Sequence, residues 1–277
     1  VRRLAAERGI DLTGVTGTGP DGIITRADLE RLRPEAGGTA DGAAAAAMEG
    51  TRSRLTGVHR VAAERLTRSH REAPAATAWL AAEATSLLAA RARLDGGHGA
   101  HITPFAVLLR LCVLALRRFP GLNAHFDGES REIVRFDAVH LGVAVQTERG
   151  LVVPVIRDAD RRSSRDLAAE LERLARSVRD ASATAEELSG STFTVSNFGA
   201  FGVDGGTAII NPPEAAILGV GRIVERPWAR DGALAARPVV NLSLAFDHRV
   251  ADGALAGGFL RHLGDLVESA ERAVADD

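Results

Sequence analysis

The chain has no lysine and no tyrosine; all 34 of its basic residues are arginine. Without a lysine amine there is no Schiff-base nucleophile and no P-loop lysine to hold a phosphate. A single cysteine, Cys112, excludes an internal disulfide framework and fits a reducing compartment. It lies in an apolar run, where a thiol packs rather than attacks. No apolar stretch reaches the roughly 18 residues of a membrane-spanning helix. The longest, Ile102–Leu116, is interrupted by Arg110 and reads as a buried core helix. No secretory signal opens the sequence, and a cytoplasmic protein is expected. Neither sign of charge dominates, with 34 basic against 36 acidic residues and a net charge of −2. There is no basic stripe interleaved with aromatics, so neither nucleic acid nor an anionic membrane is an expected partner.

What is present is ordinary globular material, 277 residues with 45% apolar and 25% charged side chains, enough for one large domain and a small one. Residues 1–33 read as a compact unit. Val1–Arg8 has helical spacing with Gly9 as its C-cap, and Thr16–Gly22 is dense in turn residues. Thr25-Arg26-Ala27-Asp28 has the spacing of a capping box opening a second short helix through Leu32. Pro34–Arg52, rich in Ala and Gly without apolar periodicity, reads as a flexible linker. Residues 53–277 alternate helical and strand patterns, as one large α/β domain does. Leu55–Arg71 reads as an amphipathic helix with Val58, Val61, Ala62 and Leu66 facing inward. Further helices are expected over Thr85–Leu94, Pro104–Phe119, Arg165–Arg179 and Gly253–Ala273. Strands are expected over Thr77–Ala81, Ile133–Phe136, Val139–Val145, Leu151–Ile156, Thr192–Ser196, Ala215–Val220 and Pro238–Ala245. Pro154 marks an edge or a bulge in its strand. His98 and His101 are three apart in a loop, but no nearby carboxylate or thiol completes a metal set, so no metal is expected.

The stretch richest in chemistry is Asp247-His248-Arg249-Val250-Ala251-Asp252-Gly253. Leu242, Leu244 and Phe246 alternate with small or polar residues, as in a half-buried strand, and the apolar run then stops. Asp252 is placed to cap the last helix. An imidazole at a strand end, between a carboxylate and a guanidinium with a tight turn behind it, suits proton transfer; the same spacing also serves a purely structural histidine. The string resembles the His-x-x-x-Asp-Gly signature of the dihydrolipoamide acyltransferases, the core components of 2-oxo acid dehydrogenase complexes. Chloramphenicol acetyltransferases and condensation domains carry related signatures. Three more segments resemble the same family in its order: Gly150-Leu151-Val152-Val153-Pro154-Val155-Ile156, Phe193-Thr194-Val195-Ser196-Asn197-Phe198-Gly199-Ala200-Phe201-Gly202, and Ile210-Asn211-Pro212-Pro213-Glu214-Ala215-Ala216-Ile217-Leu218-Gly219. Residues 1–33 resemble that family's peripheral subunit-binding domain.

The resemblance implies a chloramphenicol-acetyltransferase-like mixed-sheet α/β catalytic domain behind a small two-helix domain. It implies trimers with each active site in a channel between subunits, built into a larger core. It also implies roles. A thiol with a pKa near 8.5 is only a few per cent ionised at neutral pH, so thiol attack on a thioester needs a base. His248 is that base, acting on coenzyme A or dihydrolipoamide, and the neighbouring chain's Ser196 donates to the oxyanion, with Thr194 as its substitute. Transfer is then direct, with no acyl-enzyme. Asp252 either orients His248 or pairs with an arginine to fix the turn. Arg91 and Thr103 fall where relatives contact coenzyme A, and Asn197 falls beside the pantetheine. Arg2 matches a docking arginine for the decarboxylase or dihydrolipoamide dehydrogenase component, whereas Ile23 replaces a second one. Ala75 stands where the family often has histidine after Pro74. A lipoyl group rides on a lysine, so it must be supplied by a domain outside this chain. A branched-chain acyl group is favoured over acetyl or succinyl. Two other readings stand beside this one: a non-lipoyl acyltransferase of the same fold, and a non-catalytic scaffold subunit.

Overall fold

The computed structural model describes residues 1, 5, 12, 15–31, 51, 53–95, 101–230 and 232–277, which fall into two units, Val1–Arg54 and Leu55–Asp277. In the first, helix α1 (Arg26–Arg31) opens with the expected capping box. The Asp28 N–H donates to Thr25 Oγ1 at 3.3 Å, and the Thr25 N–H donates to Asp28 Oδ2 at 2.8 Å. The Thr18 hydroxyl and N–H also donate to Asp28, at 2.5 and 3.1 Å, tying the glycine-rich loop to the helix. These donors, the Thr18 hydroxyl foremost, hold the Asp28 carboxyl well below the usual carboxylate range. Gly17 is required sterically, because a Cβ there would stand 2.4 Å from the Gly22 carbonyl oxygen. Most of the first predicted helix, Arg2 included, and nearly all of the 34–52 linker lie outside the described residues.

The second unit runs α2 (Gly57–Glu72), β1 (Ala75–Glu83), α3 (Thr85–Asp95), α4 (Pro104–Arg118), β2 (Ala124–Asp127), β3 (Glu132–Arg135), β4 (Leu141–Thr147), β5 (Gly150–Val152), β6 (Val155–Ile156), α5 (Ser164–Arg179), β7 (Phe193–Asn197), β8 (Ala216–Val220), β9 (Val224–Arg230), β10 (Ala233–Asp247), α6 (Gly253–Glu268) and α7 (Ala270–Ala273). The main sheet has the order β1-β10-β8-β7-β4-β5, with β6 also on β4 and β9 also on β10. It is mixed: β4–β7 and β7–β8 are parallel, and the remaining pairs are antiparallel.

Alternation along the strands separates two faces. Leu242, Leu244 and Phe246 of β10, with Phe193 and Val195 of β7, point into one continuous core with α3, α4, α5 and α6. Helix α4 is at its centre, with Thr103 capping its N-terminus and Pro104 opening it. Cys112 is fully buried there, and that burial pushes its thiol far above the usual range. The other face carries Thr194, Ser196, Gly219 and Ser243. Ser163 and Asp166 close a second capping box at the start of α5. Among the described residues, no helix is long and apolar enough to cross a membrane.

Four expectations need correction. In α2, Val61 and Leu66 do not face inward; they are 47% and 46% exposed, and the Val58 side chain lies outside the described residues. This helix is held at its end instead, where the Ser69 hydroxyl donates to the Ile210 carbonyl at 2.6 Å. Leu151–Ile156 is not one strand but β5 and β6, parted at Val153-Pro154, where the Pro154 carbonyl accepts from the Val143 N–H at 2.9 Å. The last helix breaks at Ser269, between α6 and α7. Strands β2 and β9 were not foreseen: β9 is charged and holds Pro227, and only its pairing with an extended β10 makes it a strand.

Candidate active site

His248 follows β10 directly, exposed, with its N–H donating to the Pro74 carbonyl at 3.1 Å and its ring 5.7 Å from that of Phe246. The corner beneath it is rigid. Asp247 is only 2% exposed, and its carboxylate accepts from three donors of Arg249: the backbone N–H at 2.9 Å, Nε at 2.9 and 3.1 Å to its two oxygens, and Nη2 at 2.5 Å. The Arg249 guanidinium lies 3.9 Å over the Phe126 ring. The N–H groups of Val250 and Ala251 return to the Asp247 carbonyl at 2.9 and 3.0 Å. The arginine of this corner pairs with Asp247, and Asp252 has no ion pair among the described residues. Asp252 instead accepts from the Leu255 N–H at 2.8 Å and caps α6, the other role its position suggested.

Ser196 lies on the second face of the sheet, in register with Gly219, which is itself opposite Ser243. Its hydroxyl has no hydrogen-bond partner among the described residues. Thr194, two positions earlier, is committed: its hydroxyl donates to Glu214 at 2.9 Å. His248, just past the end of β10, is five residues from Ser243, about 16 Å at the rise of a strand, and β10 is two strands from β7. A single chain does not bring His248 and Ser196 together.

Thr103 and Asn197 both line a cleft of about 360 Å³, with Phe105, Gly199 and Arg222. Arg91 is just behind it, held by the Ile102 carbonyl at 2.8 Å and by Asp95 at 2.8 Å. His101 has one carboxylate within reach, Asp95 at 3.2 Å, and His98 lies outside the described residues.

Sequence reasoning passed over Glu214, although a carboxylate in an apolar strand approach is itself a signal. It is 3% exposed and lines a cavity of about 770 Å³ with Arg68, Glu72, His125, Phe126 and Arg249. Its Oε1 accepts from the Ser191 and Thr194 hydroxyls at 2.5 and 2.9 Å and from Asn211 Nδ2 at 2.8 Å, whereas Oε2 has no partner. Burial outweighs those donors and raises its pKa to about 7. The adjoining His125 is shifted down by burial.

The fold and these corners define a mixed-sheet α/β protein with polar side chains gathered at strand ends, preceded by a small helical unit. The chain belongs to the 2-oxoacid dehydrogenases acyltransferase (catalytic domain) family, which it matches over residues 47–275, and residues 1–30 match the e3 binding domain. It is 39% identical over 278 aligned residues to the lipoamide acyltransferase component of the branched-chain alpha-keto acid dehydrogenase complex of Pseudomonas aeruginosa, covering 97% of this chain and 64% of that protein. It is 34% identical to the dihydrolipoyllysine-residue acetyltransferase component of the pyruvate dehydrogenase complex of Bacillus subtilis, covering 96% of this chain and 65% of that one. The crystallographic dihydrolipoamide acetyltransferase of Azotobacter vinelandii superposes with a TM-score of 0.76 at 35% identity, over 82% of this chain and 95% of that structure. The chain thus spans a little under two thirds of these two curated relatives.

Proposed function

We propose that this chain transfers an acyl group between a dihydrolipoyl thiol and coenzyme A within a 2-oxo acid dehydrogenase complex. His248 takes the thiol proton as the sulfur attacks the thioester carbon. Ser196 donates its hydroxyl to the oxyanion of the tetrahedral intermediate, whose collapse expels the other thiol. The observation carrying this reading is that His248 stands on a rigid corner and Ser196 has an uncommitted hydroxyl, yet the row of Ser196 meets β10 at Ser243, about 16 Å of chain from His248. A site built from both needs two copies, which supports a homotrimer with the channel between subunits.

The acyl donor's pantetheine arm fits the cleft between Thr103 and Asn197, with Arg91 stiffening the loop that leads to Thr103. Asp252 contributes by fixing the start of α6 behind His248 rather than by touching substrate. The lipoyl arm comes from a domain outside these residues, since no lysine is present. Residues 1–33 dock the decarboxylase or dihydrolipoamide dehydrogenase, with Arg2 contributing. The higher identity to the branched-chain component favours a branched acyl group over acetyl.

The test is transfer from acetyl-, isobutyryl- and isovaleryl-coenzyme A to free dihydrolipoamide. The wild type should act best on a branched substrate, and His248→Ala should lose about 10²–10⁴ in kcat. Unchanged transfer by that variant would remove the base assignment. No transfer by the wild type from any donor would favour the scaffold reading.

A further inference from the structure

Glu214 has no part in the reaction assigned to His248 and Ser196, yet its carboxylate is buried just before β8 and gathers donors from two directions. From the start of β7 come the Ser191 hydroxyl at 2.5 Å and the Thr194 hydroxyl at 2.9 Å, and from its own loop comes Asn211 Nδ2 at 2.8 Å. All three reach Oε1, and Oε2 has no partner among the described residues. A buried carboxylate with an open oxygen costs stability that an apolar side chain in its place would not. What it holds is β7.

That strand runs parallel to both of its neighbours, β4 and β8. Parallel ladders are slightly weaker per residue, and their bonds are evenly spaced. A slip of two residues would therefore leave every side chain on its own face and still move Ser196 by about 7 Å. Two features block such a slip at Thr194. One is Glu214. The other is Gly142, in register with Thr194 on β4, where a Cβ would stand 2.7 Å from Thr194 Oγ1 and 3.2 Å from Ser191 Cβ. Gly142 does not have a positive φ, so its use is room for that hydroxyl rather than backbone freedom. The His125 ring closes another side, with Nε2 donating to the Ser191 carbonyl at 2.8 Å. Glu214 also belongs to the segment that carries the His248 corner. The Ala215 carbonyl accepts from the Asp247 N–H at 2.8 Å, and the Pro213 carbonyl accepts at 3.0 Å from Phe126, whose ring lies under Arg249. We propose that Glu214 is a positioning residue for acyl transfer: through Thr194 it fixes where the Ser196 hydroxyl stands along β7, relative to the segment that carries the His248 corner. This rests on the acyltransferase reading of Ser196.

The experiment measures kcat and KM for acyl-coenzyme A with dihydrolipoamide in wild type, Glu214→Ala, Glu214→Gln, Thr194→Val and the Glu214→Ala/Thr194→Val double variant. A misplacement on the order of 1 Å costs about 10² in rate, so Glu214→Ala should lose about that much from kcat per folded protein, with KM held. Glu214→Gln keeps an acceptor oxygen for the three donors and should bring kcat back to within about threefold of the wild type. Thr194→Val, the gentlest change to the fold, should lose roughly tenfold. The double variant should be no slower than Glu214→Ala, because both changes break the same link. Should Glu214→Ala not fold, Thr194→Val set against Glu214→Gln decides in the same way. Amide hydrogen exchange reads the clamp without turnover: Val195 and Ser196 should exchange faster in Thr194→Val and at the wild-type rate in Glu214→Gln, even if no acyl transfer is found at all. Losses that multiply in the double variant would mean that Thr194 acts on the substrate itself, and would overturn the proposal. So would an unchanged kcat in Thr194→Val, a Glu214→Gln as slow as Glu214→Ala, or equal exchange in all the proteins.

Discussion

Strand β7 shows in five residues how the two faces of the sheet differ. Phe193 and Val195 are fully buried against α4 and α6, with the Phe193 ring 6.0 Å from that of Phe259. Thr194 and Ser196, one position out of phase, face the other way, and Ser196 is only half-buried. The same backbone therefore supplies stability on one side and polar hydroxyls on the other. Strand β10 repeats the division, with Leu242, Leu244 and Phe246 in the core and Asn241 and Ser243 opposite. A hydroxyl placed on so firmly packed a strand inherits its rigidity at no cost in its own burial.

The sharpest way to break this comparison is to cross the two faces. Phe193→Ala should cost about 3–5 kcal/mol of stability, read by chemical denaturation, while the folded fraction keeps its kcat. Ser196→Ala should do the reverse: no change in stability, and about 10²–10³ lost from kcat with KM held. Equal effects of both variants on both measurements would show that the faces are not separable.

Glu214 stands between the faces, and its titration sharpens the comparison further. Its pKa rises from an ordinary 4.5 to about 7 in the folded protein because burial disfavours the charge. The folded state therefore holds the proton more tightly than the unfolded one. Stability should be greatest below pH 4.5 as far as this group is concerned, fall as the pH climbs to about 7, and level off above. The loss should approach about 3 kcal/mol at most. Glu214→Gln, an uncharged amide of the same shape, should abolish that slope in denaturation curves taken across the window. The smallest effect belongs to the corner. Asp252→Ala removes the α6 cap and should cost about 1 kcal/mol in thermal unfolding, with kcat reduced far less than by His248→Ala. A loss matching that of His248→Ala would instead return Asp252 to the chemistry.

The parts of the fold that were legible in the sequence are those fixed by neighbours within a few residues. Thr25 and Asp28 close their box because a helix N-terminus always leaves donors three residues on. The α4 helix was readable because its apolar run is long enough to have only one structural use. The α2 helix misled because amphipathic spacing says which residues share a side, not whether this chain covers that side. Strand β9 was invisible because a charged, proline-bearing segment becomes a strand only when β10 lies beside it.

The site divides along the same line. The sequence by itself determined which chemical groups are available: the imidazole of His248, the hydroxyl of Ser196, the cap at Asp252 and the absence of any lysine. Only the tertiary structure decided their surroundings. It gave Arg249 to Asp247, committed Thr194 to Glu214 and set His248 and Ser196 far apart on the sheet. The reason is physical: residue type and local spacing fix what a side chain can donate or accept, whereas strand pairing over long separations fixes what stands opposite it.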